Sequence, residues 1–183
     1  MSKLKIAVIG TGLVGTFHAE AFFRNPNSEL VAVCDVDKEK VNSVAQSFNC
    51  KAYEDFTKLI NTETLDAISI ATPEQIRIEP AVMSVKKGLK ILLEKPLGRN
   101  LEKIHELVDK IKDHKKIISV NFILHEDPRY KLMKEKVKND EIGNIVSCFA
   151  RRRGNRFGIE IYAPWTDLLS STLIHDILSL IHI

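Results

Sequence analysis

The chain has 183 residues, 44% hydrophobic and 28% charged, enough for one full domain and part of another. Lys and Arg number 27 against 24 Asp and Glu, and a net charge of +3 gives no electrostatic case for nucleic acid or a membrane surface as partner. Its three cysteines, Cys34, Cys50 and Cys148, form no close-spaced pair or zinc pattern and fit reduced thiols in a cytoplasmic protein, and no apolar run nears the roughly 20 residues that span a bilayer.

The N-terminus, MSKLKIAVIGTG, has a short apolar run that ends in glycines without a cleavage-site pattern, so it reads as a first strand rather than a signal peptide. LKIAVIG is continuously apolar, as a strand buried on both faces requires. LVGTFHAEAFFRN then carries helical spacing in Val14, Phe17 and Ala21. ELVAVCDVD repeats the buried-strand signature, KEKVNSVAQSFN reads as helix and TLDAISIATP as strand. EQIRIEPAVMSVKKG reads as a helix closed by Gly88, and LKILLEKP as strand. In NLEKIHELVDKIKDHKK, the residues Leu101, Ile104, Leu107, Val108 and Ile111 make the clearest amphipathic helix, and the strand IISVNF follows. Strands separated by helices of this length imply right-handed crossovers and a parallel sheet covered on both faces. Residues 1–120 are therefore expected to form a doubly wound α/β domain of Rossmann type, and residues 121–183 a partial α+β second domain.

GTGLVG puts Gly10, Gly12 and Gly15 at the G-x-G-x-x-G spacing, directly between the first strand and the first helix. In that context Gly10 permits a tight turn, Gly12 lets backbone approach a pyrophosphate, and Gly15 allows close helix packing. The helix N-terminus offers free amides and a positive dipole to phosphate, so the whole turn (Gly10, Thr11, Gly12, Leu13, Val14, Gly15) is assigned to cofactor binding. Asp35 ends the second strand about 20 residues past the last glycine, where a carboxylate accepts hydrogen bonds from ribose hydroxyls and repels a 2′-phosphate. NAD is favoured over NADP, with Lys38 nearby to soften the preference.

The fifth strand ends in LLEKPLG, with Glu94, Lys95 and Pro96 at the carboxyl edge, where open α/β sheets bind ligands. GTGLVG, ATP at residues 71–73, EKP at 94–96, then NFILHEDPRY and EIGNIVSCFARR follow one another in the order and spacing of a known family. The chain resembles the Gfo/Idh/MocA oxidoreductases over essentially its whole length. The resemblance implies an NAD(P)-dependent dehydrogenase acting on a secondary alcohol of a polyol, sugar or similar small hydroxylated metabolite. It implies that Lys95 lies beside the nicotinamide and the substrate hydroxyl, Glu94 near the nicotinamide ribose, and Ala71, Thr72 and Pro73 along the cofactor. A cation at Lys95 suits the task, since it can hold and polarise an alcohol oxygen as hydride leaves carbon.

By the same resemblance, STLIHDI carries the general-base histidine at His175, for which an imidazole has the right intrinsic pKa. Many members have an aspartate one helical turn earlier, where this chain has Ser171. Relatives also carry a large open antiparallel sheet that walls the substrate cavity and commonly forms an oligomer interface. Here the apolar stripe Ile174, Ile177, Leu178 and Ile181 runs to the last residues without a helix stop, so the second domain is expected to be incomplete. A nucleotide-binding fragment without turnover is the alternative reading. His182 and Ser179 share a stripe with His175, but no metal-ligand spacing accompanies them. The basic run RRRGNR, residues 151–156, is expected to close a strand and enter a solvated loop or meet an anionic substrate, and no sequence signal gives a partner to His18, His105, His114 or His125.

Overall fold

The computed structural model describes residues 2–98, 100–112, 118–151 and 173–182. The chain divides into two compact units, Met1–Asn121 and Phe122–Ile183.

The first unit alternates strand and helix throughout: β1 Leu4–Ile9, α1 Leu13–Arg24, β2 Ser28–Cys34, α2 Lys38–Phe48, β3 Lys51–Tyr53, α3 Phe56–Thr62, β4 Ala67–Ile70, α4 Ile78–Lys86, β5 Lys90–Leu93, α5 Leu101–Ile111 and β6 Ile118–Val120. The six strands form one sheet in the order β3-β2-β1-β4-β5-β6, and every pairing is parallel. This is the dinucleotide-fold order, in which the chain reverses its direction of travel between β1 and β4 and leaves a crevice at their carboxyl ends. Alternate strand residues feed opposite faces. Ala7 and Ile9 join Ile68, Ile70, Ile91 and Leu93 in a core that takes in Leu59, Ala81, Val85 and Leu107 from α3, α4 and α5. Val8 and Val33 pack with Ala19 of α1 and Val41 and Ala45 of α2 on the other face.

Local chemistry sets the boundaries. Asp37, Asp55 and Asn100 each cap a helix N-terminus by accepting backbone N–H bonds, and Gly88 at φ +73° ends α4 in the left-handed conformation that glycine adopts without strain. β3 and α3 carried no clear periodicity in the sequence, being only 3 and 7 residues long. Two expectations are corrected. The inward face of α1 is Gly15 and Ala19, whereas Phe17 is 58% exposed, because the helix approaches the sheet on its smallest residues. The helix expected from residue 74 starts at Ile78, because residues 74–77 form a turn, with Ile76 N donating to Pro73 O (3.2 Å), that draws Glu74 and Arg77 inside.

Among the described residues the second unit contains a 3-10 turn at Ile123–His125, then α6 Pro128–Lys138, with proline at its first position and Asp127 as cap, and α7 Ile174–His182. The strand expected before the basic run is not formed over residues 145–151. Val146 and Phe149 lie exposed there, and no neighbouring strand among the described residues takes up their backbone groups. The basic residues Arg152, Arg153 and Arg156, like Ser171 and His114, lie outside the described residues. On α7, among the residues up to Ser179 whose burial is described, His175 and Ser179 are buried, while Ile177 of the predicted apolar stripe is 49% exposed.

The contact that fixes α1 to the sheet gives the first test. A Cβ built on Gly15 would lie 1.8 Å from the Gly10 carbonyl oxygen, which is backbone and cannot rotate away. Gly15→Ala is expected to cost about 3 kcal/mol in a urea unfolding series, in the upper range of overpacking effects; an unchanged midpoint would contradict this packing.

Candidate functional site

The turn after β1, the end of β2 and the loops after β4 and β5 meet at the carboxyl edge of the sheet. Gly10 sits at φ +93°, and its amide donates to Cys34 O at 2.7 Å. A Cβ there would fall 2.7 Å from Ala71 O, so only glycine lets the turn lie against the loop after β4. Gly12 differs: it is the N-cap of α1, no side chain caps the helix, and a Cβ would meet nothing within 4 Å. The first turn of α1 also holds no acidic residue. This helix end therefore has no side-chain cap and open space at Gly12, an arrangement that suits a pyrophosphate.

Asp35 stands where the sequence reading expects it. Its Oδ2 accepts from Thr11 N (2.6 Å) and Thr11 Oγ1 (3.0 Å), and Oδ1 accepts from Asp37 N (3.1 Å). Three donors hold the carboxylate beside the glycine turn, and each oxygen keeps lone-pair capacity for a ribose hydroxyl. Lys38 extends to Glu54, 3.5 Å away, rather than standing alone beside Asp35. Leu13 is exposed at the start of α1, Val14 is half-buried, and Pro73 is exposed next to the buried Thr72. The Thr72 hydroxyl is buried and has no hydrogen-bond partner among the described residues. A buried hydroxyl of this kind is a rare and costly feature that a bound polar group would relieve.

Glu94 and Lys95 follow β5, with Glu94 N continuing the ladder to Ile70 O at 3.0 Å. The buried Glu94 carboxylate accepts from Asn121 Nδ2 (2.5 Å) and lies 3.3 Å from His18 Nε2, while its second oxygen accepts from Lys95 N (3.1 Å). His18 Nδ1 in turn lies 2.8 Å from Ser69 Oγ on β4. Burial alone would push the Glu94 carboxyl up, but hydrogen bonds from His18 and Asn121 and the charge of Lys95 outweigh it and hold it below the usual carboxylate range. No sequence signal marks this role of His18 and Asn121, since they are distant in the chain and are brought together by the parallel sheet. Arg77 also lies at this edge, 4% exposed, and donates to the backbone carbonyls of Thr72, Glu94 and Pro96.

In the second unit, His175 is buried, and its ring meets the Phe122 ring edge-on at 6.1 Å between centroids, with an interplanar angle of 87°. Ser179 Oγ donates to the His175 carbonyl at 2.8 Å. No cluster of three or more metal-ligating side chains occurs among the described residues, and no helix among them is long and apolar enough to cross a membrane.

The sequence model described as "Oxidoreductase family, NAD-binding Rossmann fold" matches residues 4–122. The chain belongs to the Gfo/Idh/MocA family. Among curated relatives, an inositol 2-dehydrogenase of Rubrobacter xylanophilus is 29% identical over 177 residues, which is 96% of this chain and 50% of the relative. A myo-inositol 2-dehydrogenase of Thermotoga maritima is 29% identical over 76% of this chain and 42% of its own length. Among solved structures, a myo-inositol 2-dehydrogenase from Lactobacillus plantarum superposes with a TM-score of 0.90 at 27% identity, over 98% of this chain and 56% of that one. A myo-inositol dehydrogenase from Lactobacillus casei in complex with NAD(H) and myo-inositol gives a TM-score of 0.80 at 28% identity, over 97% and 53%. The chain spans about half the length of the curated Gfo/Idh/MocA relatives it matches.

The Glu94 network has a pH signature. A carboxyl held below its unfolded pKa contributes stability that is present above about pH 4 and lost as pH falls through the folded value. Glu94→Gln is therefore expected to flatten the wild-type loss of stability between about pH 5 and pH 3, measured by thermal melts across that range. Parallel slopes in the two proteins would contradict it.

Proposed function

We propose that this chain carries the cofactor site and part of the catalytic apparatus of an NAD-dependent dehydrogenase acting on a secondary alcohol of a small polyol, a cyclitol of the inositol type in the first instance. The observation that carries the reading is the meeting, at one sheet edge, of the open Gly12 face, the tethered Asp35, the unpartnered Thr72 hydroxyl and Lys95. The relatives named as inositol dehydrogenases supply the substrate class.

In the turn that Gly10, Thr11 and Gly15 shape, the backbone amides of Gly12, Leu13 and Val14 would hold the pyrophosphate, and Asp35 the adenosine ribose, which favours NAD over a 2′-phosphorylated cofactor. Ala71, Thr72, Pro73 and Glu94 would line the nicotinamide half. The bound nicotinamide supplies a hydride acceptor. Lys95 holds the alcohol oxygen with its ammonium group and stabilises the charge that grows there as the C–H bond breaks. His175 takes the hydroxyl proton on its imidazole, a group whose intrinsic pKa lets it accept a proton near neutrality. On this reading the hydroxyl proton would leave to His175, and a bound nicotinamide would supply the acceptor for the carbon-bound hydrogen, so that the alcohol would become a ketone.

Residues 121–183 are read as part of the domain for substrate binding and subunit contact, and the assembly as a homo-oligomer. Three thiols outside any disulfide suit a cytoplasmic setting; burial pushes Cys34 up to about 12 and Cys50 to about 11, so both stay protonated. Nucleotide binding without turnover is the competing reading.

Absorbance at the NADH band during incubation with NAD and myo-inositol tests the reading. The reading expects NADH to accumulate, and Lys95→Met to lower kcat/KM by about 100-fold or more while NAD affinity stays within a few fold. NAD binding without NADH production from any polyol would support the binding-only reading, and a Lys95→Met variant with undiminished rate would remove Lys95 from the chemistry.

A further inference from the structure

Arg77 is the least expected residue at this edge. It precedes α4, is 4% exposed, and spends its guanidinium on main-chain carbonyls. One terminal nitrogen, Nη1, donates to Glu94 O at 2.5 Å and to Pro96 O; the other, Nη2, donates to Thr72 O. Glu94 and Pro96 are the neighbours of Lys95 on either side. The guanidinium therefore grips the chain before and after Lys95 and ties both points to the loop that carries Thr72 and Pro73. Burial pushes the guanidinium pKa down, while the carboxylates of Glu94 and Glu74, both buried, push it back up, and arginine stays charged in such settings.

Arginine chemistry explains the choice. Its planar fork offers donors at fixed angles, so a single side chain can hold three carbonyls from two loops at set separations. Without it three buried carbonyls from the two loops would lose their common donor. The adenosine end of the edge does not depend on Arg77: Asp35 is held by Thr11 and Asp37, and Gly10 by Cys34.

We propose that Arg77 is a positioning residue for the nicotinamide half of the cofactor site, which sets the separation between Lys95 and the Thr72–Pro73 wall. The inference rests on the dinucleotide reading above, and two ligands separate the two claims. ADP-ribose has the adenosine, pyrophosphate and second ribose of NAD but lacks the nicotinamide; NADH has both halves. Dissociation constants for each are measured by titration calorimetry on the 183-residue chain, together with the emission of the bound dihydronicotinamide, for wild type, Arg77→Met and Arg77→Lys.

The expected result is an ADP-ribose constant within about twofold in all three proteins. NADH affinity falls about tenfold in Arg77→Met with loss of the emission change, and Arg77→Lys recovers part of it because an ammonium restores charge and donors but not the fork. Retained ADP-ribose binding also shows that the variant has folded. If Arg77→Met does not fold, Arg77→Lys decides, with NADH weakened about threefold or more and ADP-ribose unchanged. Equal losses for both ligands, or no change for either in a folded variant, overturn the positioning role while leaving the cofactor reading intact. A wild-type chain that binds neither ligand overturns both.

Discussion

The structure turns on one close backbone contact, the turn after β1 lying against the loop after β4. Gly10 has no room for a Cβ beside Ala71 O, and Gly15 has none beside Gly10 O, so the start of α1 is pressed onto the crevice between the two central strands. Once that contact is made, the remaining features follow. The free amides of α1 point along the carboxyl edge, Gly12 is left facing open space, and Thr11 comes within reach of Asp35. A parallel sheet delivers every strand-end loop to that same edge, so Asp35, Thr72 and Glu94 arrive together though far apart in sequence.

A second constraint is electrostatic. The edge buries Glu94, Glu74 and Arg77 in a region where an unpaired charge would be costly. The arrangement meets the cost with hydrogen bonds rather than one ion pair: Asn121, His18 and the Lys95 amide on the Glu94 carboxylate, and three main-chain carbonyls on Arg77. Both groups therefore fix backbone as well as charge, and the segment they fix is the one that carries Lys95. The role proposed for Lys95 requires rigidity there, because a loosely held cation would lose part of its effect to reorganisation.

The parts legible in the sequence were those written in periodicity or in glycine spacing. Continuous apolar runs gave β1 and β2, GTGLVG gave the turn, and Gly88 gave the end of α4. The inward face of α1 is not legible in this way, because its packing rests on Gly15 and Ala19, whose burial comes from smallness and leaves little hydropathy signal. Arg77 was invisible for a different reason: its partners are carbonyls, which every residue has, and no side-chain pattern marks them. His18, Asn121 and Glu94 needed the strand order before they could be seen as neighbours. At the other end, the apolar stripe of α7 suggested Ile177 as an inward residue, yet the helix turns His175 and Ser179 in, with Phe122 against the imidazole.

The central claim is that one sheet edge, from the glycine turn to Lys95, forms a single dinucleotide site. Hydrogen–deuterium exchange of the chain with and without saturating NAD tests it most directly. A single site predicts slowed exchange at the amides of residues 11–16 and in the segments around Thr72 and Lys95, with β3 and α3 unaffected. Exchange unchanged at the glycine turn, or protection confined to other parts of the molecule, would contradict it.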